Sequence, residues 1–252
     1  MTIDTSPAAG TVPESGRQPG LHGELLEQLG LAIIGGQLPA DSVVTLEDLE
    51  AQYGASRSVV REVVRVLESE GLAALRRRVG VVVLPSTNWN LFDAQIIRWR
   101  LQTNARIDQL RALMEVRVAV EPEAARLAGM RSRRVDAGML MGLAGRLWVA
   151  GEEADLKEFL EIDIRFHQLV LTSSGNDMFG HLGSVVREML VGRDNAGLNS
   201  TPELRALQLH VDVASAIQRG ASDEAYENMR EVMHRTMDEL TPLLGNGQEA
   251  AA

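Results

Sequence analysis

Cysteine is absent from the 252 residues, which excludes disulfides and thiolate-bound metals, so any ion must be held by nitrogen and oxygen donors. The same absence fits a reducing cytoplasm. No hydrophobic run is long enough to span a bilayer. The first twenty residues, MTIDTSPAAGTVPESGRQPG, lack the apolar core of a signal peptide and are rich in Pro, Gly, Ser and Thr; residues 1–20 and 246–252 are expected to be disordered tails. Positive charge is also scarce. With 25 Lys and Arg against 35 Asp and Glu the formal charge is -10, which argues against binding nucleic acid through bulk charge. Screening confines charge effects to about 10 Å or less at physiological salt, so a local basic patch can still act.

That patch is present. Arg57, Arg61, Arg65, Arg76, Arg77 and Arg78 fall in one short stretch that holds only Glu62, Glu68 and Glu70 as acids. Around it, residues 21–85 read as a small helical module. Leu21, Leu25, Leu29 and Ala32 recur at helical spacing, and Gly35-Gly36 stops the run. After the loop QLPADSV, Thr45 caps a short helix over LEDLEAQYG, which Gly54 ends. Ser56 caps a longer helix whose apolar face is Val59, Val60, Val63, Val66 and Leu67, so that Arg57, Ser58, Arg61 and Arg65 point elsewhere. Two helices meeting at a glycine turn, the second polar and basic near its N-terminus, have the spacing of a helix-turn-helix. For the helix pair alone, a hairpin with merely solvated arginines is the alternative. Leu72 to Arg78 and Val79 to Leu84 then read as a β-hairpin with a basic tip, a wing.

The segment GASRSVVREVVRVLESEGL and the winged stretch after it resemble the GntR family of transcription regulators. The resemblance implies a homodimer that sets two recognition helices in adjacent major grooves of a palindromic operator. Carried over by position, Ser56, Arg57, Ser58 and Arg61 would contact DNA from the recognition helix, and Arg78 and Gly80 from the wing. An arginine can fork onto guanine while hydroxyls hold phosphates. Two positions depart from the family pattern. Glu47 stands where many relatives carry a DNA-contacting arginine, and Arg78 stands at the first of two wing glycines.

Residues 86–104, STNWNLFDAQIIRWRLQTN, open with turn formers and continue with Leu91, Ile96, Ile97, Trp99 and Leu101. This predicts a linker and a helix on which Trp89 or Trp99 docks one domain on the other. NWNLFDAQIIRWRL is similar to the same region of sugar-acid (galactonate-type) catabolism repressors. From 105 to 245 the helical periodicity breaks near 129–134, Gly151, Gly175, 197–202 and 220–222, which predicts a bundle of about six antiparallel helices. The expected fold is mainly α, with an N-terminal winged helix-turn-helix, a small β-hairpin wing and a C-terminal antiparallel all-α bundle.

Asp163 and His167 lie four residues apart and share a helix face. Alone, such a pair is more often a surface salt bridge. His210 lies on the apolar stripe of Leu207, Ala214 and Ile217, and His234 on the helix returning after the turn at 220–222. Their distances from that turn put both at a similar height in a helical hairpin. Joint coordination of a divalent ion by Asp163, His167, His210 and His234 accounts for two core histidines opposite an Asp-x-x-x-His pair; a polar network holding the bundle together is the alternative. The motifs RVAVEPEAARLA and DIRFHQLVLTSSGN, with a late histidine in each of two helices, resemble the FCD ligand-binding domain of the FadR branch of the same family. In its metal-binding members the four matching positions are ligands, with open sites for water or an effector carboxylate. Zinc, nickel, manganese and iron all suit such donors. His22 lies outside the bundle, and His181 follows a glycine and has no partner at suggestive spacing.

Arg117 follows Leu110, Leu113 and Met114 on the inward face of the first bundle helix. A buried arginine needs an anion, either Glu121 four residues on or an acidic ligand; the resemblance favours the ligand. Asn176 in SSGN either caps the next helix or, as in the family, turns toward the pocket. The expected protein is a cytoplasmic DNA-binding repressor without membrane association or enzymatic activity. A small organic acid of the hexonate kind, bound at a metal-containing pocket, would release it from its operator. The alternatives are a regulator for which the ion is the signal, a bundle that only dimerises, and a metal-dependent hydrolase, which would leave the winged module unexplained.

Overall fold

The computed structural model describes residues 20–197 and 202–245; the expected tails lie outside the described residues, Gly20 excepted. Helix α1 (Leu21–Ile34) buries Leu25, Leu26, Leu29 and Ile33 and stops at Gly35. Strand β1 (Val43–Val44) and helix α2 (Leu46–Tyr53) follow. The Thr45 hydroxyl accepts from the Asp48 amide at 3.1 Å while Asp48 reaches back to the Thr45 amide, which satisfies two donors at the start of α2. Gly54, at φ 60°, turns the chain into α3 (Arg57–Ser69), a conformation that glycine adopts without a Cβ clash. Ser56 occupies the position before α3, but its Oγ shares a hydrogen bond with Ser58 Oγ at 3.0 Å and caps no helix amide, which corrects the capping role expected of it. The packed face of α3 is Val60, Val63, Val64 and Leu67.

The wing consists of β2 (Ala73–Arg76) and β3 (Gly80–Val83), antiparallel with Arg76 opposite Gly80. A third strand joins them. β1 pairs with the other edge of β3, Val43 opposite Val82 and Val44 opposite Val81, giving the order β1-β3-β2. Two residues are too few to show a period of two, so β1 reads as loop in the sequence and becomes a strand only through the free edge of β3.

A single 3-10 turn (Ser86–Asn88) leads to α4 (Ala94–Gln102), which Asp93 caps by accepting from the amides of Gln95 and Ile96 at 2.8 and 3.1 Å. Helix α4 belongs to two hydrophobic cores. Its Ile96 and Trp99 pack with α1, α3 and the sheet, while Ile97 and Leu101 pack with the helices that follow. Trp99 is 1% exposed and donates from its indole nitrogen to Glu27 Oε2 of α1 at 2.8 Å. Trp89 is half-buried and donates to the Leu84 carbonyl at 3.2 Å.

The second core is built by α5 (Arg106–Arg131), α6 (Arg134–Glu152), α7 (Leu156–Ser173), the single-turn α8 (Asp177–His181), α9 (Gly183–Asn195), α10 (Leu204–Arg219) and α11 (Ser222–Gly245). Gly220, at φ 73°, folds α11 back along α10. Phe166, Leu110, Met114, Leu140 and Leu147 are completely buried at its centre. Among the described residues no helix is long and apolar enough to cross a membrane.

Candidate functional site

Arg57 and Arg61 of α3 border one open groove with Arg76, Arg77 and Arg78 of the wing. Ser56, Arg57, Ser58 and Arg61 are all exposed at the start of α3, whose first turn carries no acid. A helix N-terminus with polar and basic side chains beside a basic hairpin is suited to a DNA groove and its phosphates. Arg57 already has partners, with Nη1 3.1 Å from Glu47 Oε1 and Nε 3.9 Å from Glu50 Oε1. Arg78 holds the wing tip at φ 63°, in the left-handed region where glycine is the usual occupant. Gly80 lies within the sheet: a Cβ there would stand 2.8 Å from the Val44 carbonyl oxygen, so the close approach of β1 accounts for this glycine.

Inside the bundle, Asp163 and His167 come from α7 and His210 from α10, and one donor atom from each lies within 4.8 Å of the others. Both imidazole Nε2 atoms are 3.3 Å from Asp163 Oδ1. Each ring is oriented from behind. His167 Nδ1 bonds to Glu121 of α5, and His210 Nδ1 donates to the Ala206 carbonyl at 2.8 Å. Such outer contacts fix the tautomer that presents an Nε2 lone pair to the centre. Phe166 packs edgewise on both rings, with centroids 5.7 and 5.1 Å away, and restricts their planes. His210 Nε2 is buried and has no hydrogen-bond partner among the described residues, although it faces Asp163. Two imidazole nitrogens and a carboxylate with one lone pair unanswered fit a divalent ion.

Charge around this cluster is tightly matched. Burial disfavours ionised Glu121, but Arg117 and His167 outweigh it and hold its pKa at about 2. Burial likewise disfavours charged His167, yet Glu121 and Asp163 raise its pKa to about 9. Asp163, also penalised by burial, is held well below the ordinary carboxylate range, chiefly by His167. Without an ion, His167 is therefore an imidazolium between two carboxylates, and coordination at Nε2 requires one proton to leave.

His234 does not join the group. It is exposed on α11, whereas Val232, Arg235 and Thr236 line the cavity beside the cluster. Its expected height along the hairpin ignored its direction: two residues beyond the inward Val232, a helical side chain has turned by about 200°. The cavity has a volume of about 90 Å³. Arg117 lines it but is committed, its Nε to Glu121 and its Nη1 to Met189 Sδ at 3.4 Å, so of the two anions open to it Glu121 is the partner found. Asn176 lies elsewhere. It caps α8 by accepting from the Met178 amide at 3.0 Å and borders a shallow surface depression with Thr172 and His181, so of its two expected roles the cap is the one found and the place in the pocket is not.

Helix α9 forms one wall of the cavity through Leu190 and Arg193 and also grips α4. Glu188 accepts from Arg98 Nε and Nη2, each at 3.1 Å. Gly192 gives Leu101 its place, since a Cβ there would stand 2.6 Å from Leu101 Cδ1. Reading the sequence missed the role of Glu121 behind His167, although its position one turn after Arg117 on the inward face was a usable signal. Arg193, Arg235 and Glu239 carry no such signal, because nothing in the sequence of α9 or of α11 indicates that they meet at one cavity.

Residues 21–83 match the family model of the bacterial regulatory proteins, gntR family, and residues 112–235 match that of the FCD domain. The chain is similar to the uncharacterized HTH-type transcriptional regulator YieP of Escherichia coli (strain K12), at 25% identity over 211 residues that make up 83% of this chain and 91% of that protein. It is also similar to the galactonate operon transcriptional repressor of the same strain, at 30% identity over 160 residues, 64% of this chain and 67% of the repressor. Among solved structures, that of Lar, which controls the expression of the Listeria monocytogenes agr system, aligns with a TM-score of 0.52 at 15% identity, covering 90% of this chain and 100% of that one. At that identity the likeness concerns the fold alone.

Proposed function

Because the chain belongs to the gntR family of bacterial regulatory proteins and joins a winged helix-turn-helix to an FCD domain, we propose that it is a homodimeric cytoplasmic repressor. A small organic acid of the hexonate class, bound at the metal-lined cavity of the bundle, releases it from a palindromic operator. The relatives and the two domains point to a transcription regulator and not to an enzyme. The observation that carries the ligand reading is the buried Asp163, His167 and His210 group, with His210 Nε2 unanswered, at a cavity walled by the same α9 that holds α4.

In this reading Asp163, His167 and His210 hold the ion, and a bound divalent ion would supply coordination positions for carboxylate and hydroxyl oxygens. Glu121 keeps His167 in its coordinating orientation. Ser56, Arg57, Ser58 and Arg61 read the operator from α3, and Arg78 anchors the wing to the backbone. The acid acts only through its difference in affinity for the DNA-competent and incompetent arrangements. The hexonate class is suggested by the name of the galactonate operon repressor.

The test is operator affinity, read by fluorescence anisotropy, for the metal-loaded protein with galactonate, gluconate or galacturonate added. Weakened binding with any of them supports the reading. Unchanged affinity with all three rules out that effector class. A second reading rests on the same cluster, which offers three donors without any organic ligand: if zinc or nickel alone shifts operator affinity sharply, the ion itself is the signal.

A further inference from the structure

Two arginines besides Arg117 line the cavity, Arg193 from α9 and Arg235 from α11. Arg193 is 8% exposed. Its Nη2 donates to Glu239 Oε2 at 3.1 Å, and Arg235 Nη2 pairs with Glu203. In both guanidinium groups the Nε is buried and has no acceptor among the described residues. A buried donor left without a partner is costly, more so when it belongs to a charged group. Here two occur in residues that line one cavity, each on the atom next to an Nη2 that a carboxylate already holds. The edge formed by Nε and Nη2 is the one a carboxylate engages side-on.

We propose that Arg193 and Arg235 form the carboxylate clamp of this cavity, their two Nε–H groups donating to the carboxylate oxygens of a singly charged organic acid. Arg117 is not part of the clamp, since Glu121 neutralises it and the Met189 sulfur takes another of its donors. Glu239 and Glu203 already neutralise part of the two charges and would repel a second negative charge on the ligand. The clamp therefore takes a monocarboxylate in preference to a phosphate dianion. It rests on the reading that an acid occupies this cavity, and it adds for the acid's carboxylate two donors outside the Asp163, His167 and His210 group.

The test uses the full-length, metal-loaded protein labelled with nitrogen-15. Buried arginine Nε–H groups exchange slowly enough to be observed, and Arg193→Lys and Arg235→Lys identify the two resonances by their loss. Titration with galactonate should move both, while galactose and inorganic phosphate should not. Each lysine variant keeps its charge but loses the Nε–H, and should bind galactonate at least about tenfold more weakly with its ion content unchanged. The parent spectrum carries the test even where a lysine variant is unstable. Unmoved resonances at millimolar galactonate overturn the clamp, and if operator affinity still falls, the functional reading survives without it. Equal movement with phosphate overturns the selectivity for a monocarboxylate. Resonances that move while operator affinity stays constant support the clamp and remove the functional reading.

Discussion

Trp99 of α4 lies against the backbone of Gly30 in α1 so closely that a Cβ on Gly30 would stand 2.4 Å from the indole ring. Because Trp99 is almost fully buried and tied to Glu27, it has no room to withdraw. Gly30→Ala is expected to destabilise the protein by about 1–3 kcal/mol through overpacking. The midpoint of chemical denaturation checks this, and an unchanged midpoint would mean that the contact is soft.

Arg57→Ala and Arg61→Ala should each cost about 1–3 kcal/mol of operator affinity if they read bases. Glu47→Ala should behave differently. Its pairing with Arg57 is exposed and contributes only about 0–1 kcal/mol to folding, while its negative charge faces the groove. The variant should bind non-operator DNA more tightly than the parent, narrowing the specificity ratio. Anisotropy titrations on operator and scrambled duplexes over a range of salt give both quantities, and a uniform loss of binding in Glu47→Ala would show that it holds Arg57 in its reading position.

Elemental analysis should find about one ion per chain in the parent and none in His167→Ala or His210→Ala, whereas His234→Ala should retain it because His234 is exposed on α11. Loss in the His234 variant as well would mean that α11 turns on loading.

The metal-free protein should lose stability as the solution becomes alkaline. Burial disfavours charged His167, but Glu121 and Asp163 outweigh it and raise its pKa from 6.5 to about 9, so the stabilisation it contributes is complete below pH 6.5 and disappears as pH rises through about 9. Glu121, lowered from 4.5 to about 2, contributes fully above pH 4.5 and fails as pH falls through about 2. Coordination at His167 displaces its proton, so the apparent metal affinity should rise by about tenfold per pH unit between neutrality and pH 9. Melting curves with and without chelator over pH 6 to 9.5, taken as roughly that range, measure both trends; a flat metal-free curve would place the proton elsewhere.

Arg98→Ala removes the paired contact to Glu188 by which α9 holds α4. Acid binding should persist in this variant while its effect on operator affinity shrinks, since the coupling needs an element that both sites bias. Full release by the acid would exclude this contact from the route.

Much of this molecule was legible along the chain. The glycine turn at Gly54, the capping Thr45, the apolar face of α3 and the basic hairpin tip are local features, set by residues within a few positions of one another. The pair of Asp163 and His167 was legible for the same reason, since four residues on a helix always share a face. β1 was not, because its strand character comes from β3. His234 was misplaced because spacing from a turn fixes height but not the direction a side chain points, and that direction depends on which face of α11 packs inward.

The architecture, a winged helix-turn-helix before an all-helical bundle, follows from the order of residues alone, because periodicity, caps and turn residues act over one or two turns of chain. That order also placed a buried histidine and carboxylate in the bundle. Which charges meet was fixed by packing instead: Glu121 behind His167, Glu47 on Arg57, and Arg193 and Arg235 around one cavity, each with a donor that has no acceptor among the described residues. Those pairings join different helices, and for the buried ones, which lie far apart in sequence, the energy of a charge depends on what stands opposite it once water has been excluded.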